Sequence, residues 1–73
     1  MRALLKFDEE QTSQPITAQV ILEHGLPINI LRADVKPAGG EILVEIPQDR
    51  FDEVVNSFQK RKVGLLHVIN TIY

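Results

Sequence analysis

The sequence predicts an α+β two-layer sandwich: a four-stranded, mainly antiparallel sheet with two helices on one face. Three observations carry this. Several stretches alternate apolar and polar residues with period two, two stretches place apolar residues at helical spacing, and turn residues punctuate the intervals between them. In chain order they give strand, helix, strand, strand, helix, strand.

Residues 2–7 alternate, with Ala3, Leu5 and Phe7 on one side and Arg2, Leu4 and Lys6 on the other, as in a half-buried strand. The polar stretch from Asp8 to Gln14 reads as a loop. Ser13 is the expected N-cap of the first helix, with Pro15 in its first turn and Ile16, Val20 and Ile21 at helical spacing. Gly25 is placed to close that helix in the left-handed conformation. Residues 28–36 alternate again, setting Asn29, Leu31, Ala33 and Val35 against Ile28, Ile30, Arg32 and Asp34. Pro37-Ala38-Gly39-Gly40 is a hairpin turn signal, and Ile42, Val44 and Ile46 form the apolar side of the following strand.

Pro47 ends that strand, and Asp49 is the expected cap of the second helix, with Asp52 three residues on. Phe51, Val54, Val55 and Phe58 are an i, i+3, i+4, i+7 stripe. Lys60, Arg61 and Lys62 suit the negative end of a helix dipole, which accounts for the basic run without nucleic acid. Gly64 is expected to break the helix. Leu65–Tyr73 reads as a last strand without lysine, arginine or carboxylate.

Two strand–helix–strand crossovers joined by a hairpin describe a ferredoxin-like βαββαβ arrangement. The handedness of such crossovers sets the first and third strands side by side in the centre. By alternation the uncovered face of the sheet should carry Leu4, Ile28, Ile30 and Leu43. The last strand adds either Leu65, His67, Ile69, Thr71 and Tyr73 or the opposite set, and the pattern leaves both phases open. A contiguous aliphatic face and an edge without lysine or proline both point to self-association or docking.

The 73 residues, 44% hydrophobic and 25% charged, describe one small domain spanning residues 1–73. The absence of cysteine excludes disulfides, thiolate metal sites and a cysteine nucleophile. Eight Lys+Arg against ten Asp+Glu give a net charge of −2, the wrong sign for a nucleic-acid binder. No stretch approaches the ~20 apolar residues of a membrane span. Acidic residues from Asp8 onward interrupt any signal-peptide apolar region, so no membrane insertion and a cytoplasmic location are expected.

Catalytic and metal patterns are missing from the sequence. Gly39-Gly40 lies between strands and lacks a phosphate-loop pattern. His24 falls in the last turn of a helix, where free carbonyls await it, and His67 reads as a surface or interface residue. Asp8, Glu9 and Glu10 fit a solvated helix approach better than a cation site. The central strands lack the aromatics that stack RNA bases. The loop after the first strand is acidic where an acyl-phosphatase needs an arginine cradle. No enzyme, metal or cofactor is therefore expected. Arg32 and Asp34, two apart on one face, pair with each other or face a partner chain. Asn29 shares its face with apolar neighbours, so its amide either bonds the Gly25–Pro27 backbone or meets a small polar ligand.

Ile28-Asn29-Ile30-Leu31-Arg32-Ala33-Asp34-Val35, followed by Gly39-Gly40 and Leu43-Val44-Glu45, resembles the NIL domain family, named for its Asn-Ile-Leu motif. The resemblance extends from the Gln14-Pro15-Ile16 helix start to the closing strand. It implies a ferredoxin-like domain, related in architecture to amino-acid-sensing ACT domains. Such domains occur at the C-terminus of the ATPase of methionine ABC importers, fused to iron–sulfur ferredoxin modules, and alone. It implies a regulatory domain that binds methionine or a related amino acid and forms a homodimer through a sheet edge or the open sheet face. Asn29 is the implied ligand contact, with Ile30 and Leu31 its motif neighbours. The Val35–Gly40 hairpin is shorter than in the importer domains, and Arg32-Ala33-Asp34-Val35 looks more like the stand-alone or ferredoxin-fused kind. The alternative is a ligand-free dimerisation module, alone or beside a ferredoxin domain.

Overall fold

The computed structural model describes residues 1–70, and the expectations for Thr71, Ile72 and Tyr73 lie outside the described residues. Strand β1 (Arg2–Asp8) leads into a single-turn helix α1 (Glu9–Thr12) and then helix α2 (Ile16–His24). Strands β2 (Asn29–Lys36) and β3 (Gly39–Glu45) form a hairpin. A 3₁₀ turn at Gln48–Arg50 opens helix α3 (Phe51–Lys60), and strand β4 (Gly64–Ile69) follows. The strands lie in the order β2-β3-β1-β4, every neighbouring pair antiparallel. This is the ferredoxin-like topology predicted from the crossovers.

The alternation of β1 is kept: Ala3, Leu5 and Phe7 are buried under the helices. They meet Ile16 and Val20 of α2 and the stripe Phe51, Val54, Val55 and Phe58 of α3. Phe7 and Phe58 pack edge to face, their ring centroids 6.4 Å apart. Among the described residues no helix is long and apolar enough to cross a membrane.

Several local expectations are corrected. The acidic stretch after β1 is helical, because Asp8 and Gln11 form a capping box in which the Asp8 N–H donates to Gln11 Oε1 at 2.9 Å. Ser13 ends α1 instead of capping the next helix, its hydroxyl donating to the Glu10 carbonyl, and Pro15 takes the cap position of α2. Asp49 lies inside the 3₁₀ turn, so Arg50 occupies the cap position of α3. Gly25 closes α2 with φ 64° as expected. The corresponding left-handed residue after α3 is Lys62 (φ 65°), while Gly64 begins β4 opposite Lys6.

The larger correction concerns the sheet faces. Both edge strands carry a one-residue bulge. Ile30 pairs with Val44 but Arg32 with Leu43, leaving Leu31 extra. Likewise Leu4 pairs with His67 but Leu5 with Leu65, leaving Leu66 extra. Residues directly opposite share a face, so each bulge switches the phase of its strand. Ile28 therefore belongs to the core and Ile30 shares the helix side with Val44, while Asn29 turns to the open face. In β4, Leu65 packs against the core, whereas His67 and Ile69 lie on the open face. The open face carries Leu4 and Leu43 among Arg2, Lys6, Arg32, Asp34, Glu41 and Glu45. Apart from Leu22 on α2, the large exposed apolar side chains among the described residues gather at the two edges instead: Ile30, Leu31 and Val35 on β2, and Leu66, Val68 and Ile69 on β4.

Candidate functional site

Three chain segments converge at one end of the sheet. Met1 precedes β1, Pro27 leads from α2 into β2, and Glu45-Ile46-Pro47-Gln48 leads from β3 toward α3. Backbone hydrogen bonds fasten the first and last together: Met1 N donates to Ile46 O at 2.9 Å, and Ile46 N to Met1 O at 2.8 Å. Between the segments lies a cleft of about 490 Å³, with Asn29 on its wall. Asn29, Glu45 and Gln48 bring amide and carboxylate groups to its walls, Met1 brings a terminal ammonium that donates to Ile46 O, and Pro27, Ile46 and Pro47 complete the lining.

The bulge at Leu31 creates the key juxtaposition. The turn end of the hairpin sets Lys36 opposite Gly39, a register that, continued unbroken, would put Ile30 opposite Glu45. With Leu31 left out of the ladder, Asn29 stands there instead. The Asn29 amide is therefore open to solvent, which replaces the expectation of a half-buried group among apolar neighbours. Of the three candidate residues only Asn29 lines this cleft. Ile30 lies on the helix side of the ladder and Leu31 at the bulge, both exposed.

Glu45 forms an ion pair with Arg2 at 3.3 Å. Glu45 and Gln48 were missed in the sequence because residues from different segments are joined by the register, and the bulge that sets the register has no local signature. A site with an amide, a paired carboxylate and apolar walls can hold a small molecule that has both a charged head and an apolar tail.

A second polar cluster clamps the two long helices. Arg61 donates to Glu23 at 2.6 Å and to the Ser57 hydroxyl and carbonyl at 2.7 and 3.0 Å, the dipole-facing role expected of the basic run. His24 does not turn back on its own helix. Its Nδ1 lies 3.2 Å from Glu53 Oε2, and its carbonyl accepts from Arg50, which also pairs with Glu53. The Arg61 guanidinium holds the Glu23 carboxyl below the usual carboxylate range, and Arg50 does the same for Glu53. The Glu23 and Glu53 carboxylates are solvent-facing while the His24 ring is largely buried, and the Arg61–Glu23 and His24–Glu53 contacts join α2 to α3.

No curated protein and no solved structure matches the chain. The family model of the NIL domain matches residues 1–65, a span that holds the hairpin, both long helices and every wall of the cleft. The motif asparagine, the ferredoxin-like topology and this match agree: the chain belongs to the NIL domain family.

Proposed function

We propose that this chain is a small regulatory domain that binds methionine or a related amino acid without turning it over. It acts as a homodimer in the cytoplasm, alone or beside a transporter ATPase or ferredoxin domain. The observation that carries the reading is Asn29, the motif asparagine, at the wall of a cleft that also holds a carboxylate. Glu45 accepts from the ligand ammonium, and the Asn29 amide donates to the ligand carboxylate. Arg2 balances the added negative charge, while Pro27 and Pro47 receive the apolar side chain.

Thermal unfolding with and without L-methionine, other amino acids alongside, tests this. Ligand at 100 times its Kd adds about 2.7 kcal/mol, which for a domain this small raises Tm by roughly 10 to 20 °C. A shift selective for one amino acid and lost in Asn29→Ala supports the reading. No shift with any amino acid overturns it. The second reading, a ligand-free dimerisation module, is favoured by the exposed apolar edge residues Ile30, Leu31 and Val35.

A further inference from the structure

The open face of the sheet sorts its charge by strand. β1 presents Arg2, Leu4 and Lys6 there, and β3 presents Glu41, Leu43 and Glu45. The ladder sets Arg2 opposite Glu45, Leu4 opposite Leu43 and Lys6 opposite Glu41. One central strand is therefore basic and its neighbour acidic, with two half-buried leucines between the charges. The outer strands add Arg32 beside Leu43 and His67 beside Leu4. The helices pack on the opposite face.

A second copy of the chain can meet this face in two ways, because a twofold axis between packed sheets lies in their plane. With the axis across the strands, each strand lies over its own copy, turned end for end. Glu41 then faces Glu45, Lys6 faces Arg2, and Arg32 faces Arg32, so like charges confront each other throughout. With the axis along the strands, between β1 and β3, the ends stay matched and the strands exchange. Glu41 of each copy faces Lys6 of the other, Glu45 faces Arg2, and Leu43 faces Leu4. Each of these contacts forms twice. Arg32 comes over the His67 ring, where a guanidinium can stack. Sheet twist keeps stacked strands within about 30° of one another, so the three rows remain in register.

In the lengthwise arrangement the ion pairs become alternating squares of four charges at either end of a four-leucine centre. Networks contribute more than isolated surface pairs, and at a rim they keep much of their hydration. The face measures only about 20 Å by 17 Å from strand and residue spacings. That is small beside standard interfaces, so the association is weak, and both sheet edges stay free. We propose that a second copy of this chain docks on the open sheet face about an axis along β1 and β3, basic strand over acidic strand. The proposal rests on the homodimer inferred above and names the face and axis that form it.

Sedimentation equilibrium at millimolar chain concentration tests it, with circular dichroism confirming that each variant is folded. Lys6→Glu and Glu41→Lys each put like charges across the interface, and each should weaken self-association roughly tenfold. Mixed in equal amounts, the two variants should associate as tightly as the parent chain, because a carboxylate then faces an ammonium at each contact. The like charges within each copy persist on mixing, so recovered affinity reports contact between copies. Should a reversal fail to fold, Lys6→Gln weakens the lengthwise dimer and tightens the crosswise one. Tighter self-association of Lys6→Glu or Lys6→Gln overturns the axis, since it places Lys6 over Arg2. A dimer that none of these substitutions changes overturns the face and leaves the homodimer in place. A chain that stays monomeric at that concentration overturns both, and leaves ligand binding to be judged by the thermal shift alone.

Discussion

Glu45 is held between Asn29 and Arg2: the ladder sets it opposite one in β2 and the other in β1, and its carboxylate lies 3.3 Å from the Arg2 guanidinium. The carboxylate at the cleft is thus already paired with a cation. Glu45→Gln should abolish most of an amino-acid-induced Tm shift while changing the stability of the free domain by less than about 1 kcal/mol, the usual range for a surface pair. Urea unfolding with and without ligand separates the two effects. A lost shift accompanied by a large loss of stability would make Glu45 a structural residue.

Phe58 is fully buried and meets Phe7 edge to face at the centre of the sandwich. Phe58→Ala should cost about 3 to 5 kcal/mol, from lost burial and the cavity left behind. Against the roughly 5 to 15 kcal/mol total of a natural domain, circular dichroism should show a much lower Tm.

The α2–α3 clamp sets a pH response. Glu23 and Glu53 bind protons less readily in the folded chain than in the unfolded one, because Arg61 and Arg50 stabilise their charged forms. At pH values below the ordinary carboxyl value of 4.5, the unfolded chain takes up more protons, so stability falls as the pH drops and is fully present above that value. Unfolding midpoints measured from pH 7 to 3 should decline, and the Glu23→Gln, Glu53→Gln double variant should decline less steeply.

Two backbone sites should respond in opposite directions. A Cβ at Gly40 would run into the Asp34 carbonyl and lie 2.6 Å from Val35 Cα, so Gly40→Ala forces the hairpin strands apart. It should cost about 1 to 3 kcal/mol, as overpacking does. Lys62 holds a left-handed φ of 65° that disfavours a side chain by about 1 to 2 kcal/mol. Lys62→Gly should be neutral to stabilising, by up to about 1 kcal/mol after glycine's greater entropy loss is counted. Chemical denaturation of both variants checks the pair.

What was legible in the sequence followed from periodicity. Ala3, Leu5 and Phe7 and the stripe Phe51 to Phe58 identify their buried faces because side-chain direction in regular elements repeats. Asn29 was legible as a motif residue, yet its expected surroundings were wrong. An alternation pattern assumes an unbroken strand, and nothing in Ile30-Leu31-Arg32 announces that one residue is skipped. The same holds for Leu65-Leu66-His67, where neither phase alone describes the strand. The helix starts were misplaced for a different reason: Ser13 and Asp49 are good caps, but Asp8 with Gln11 and the 3₁₀ turn nucleate earlier.

The exposure of β2 along its whole length has a kinetic consequence. A strand that buries almost no side chain is kept in place chiefly by its main-chain ladder to β3. Opening it exposes little new apolar surface, so its amides should exchange with solvent through local excursions that leave the helices untouched. The segment bearing Asn29 should therefore open locally without unfolding the helix layer. A ligand or a second chain that engaged it would lengthen the interval between such openings. Under the proposed regulatory role, the signal would be the lifetime of one strand, with no rearrangement of the sandwich required.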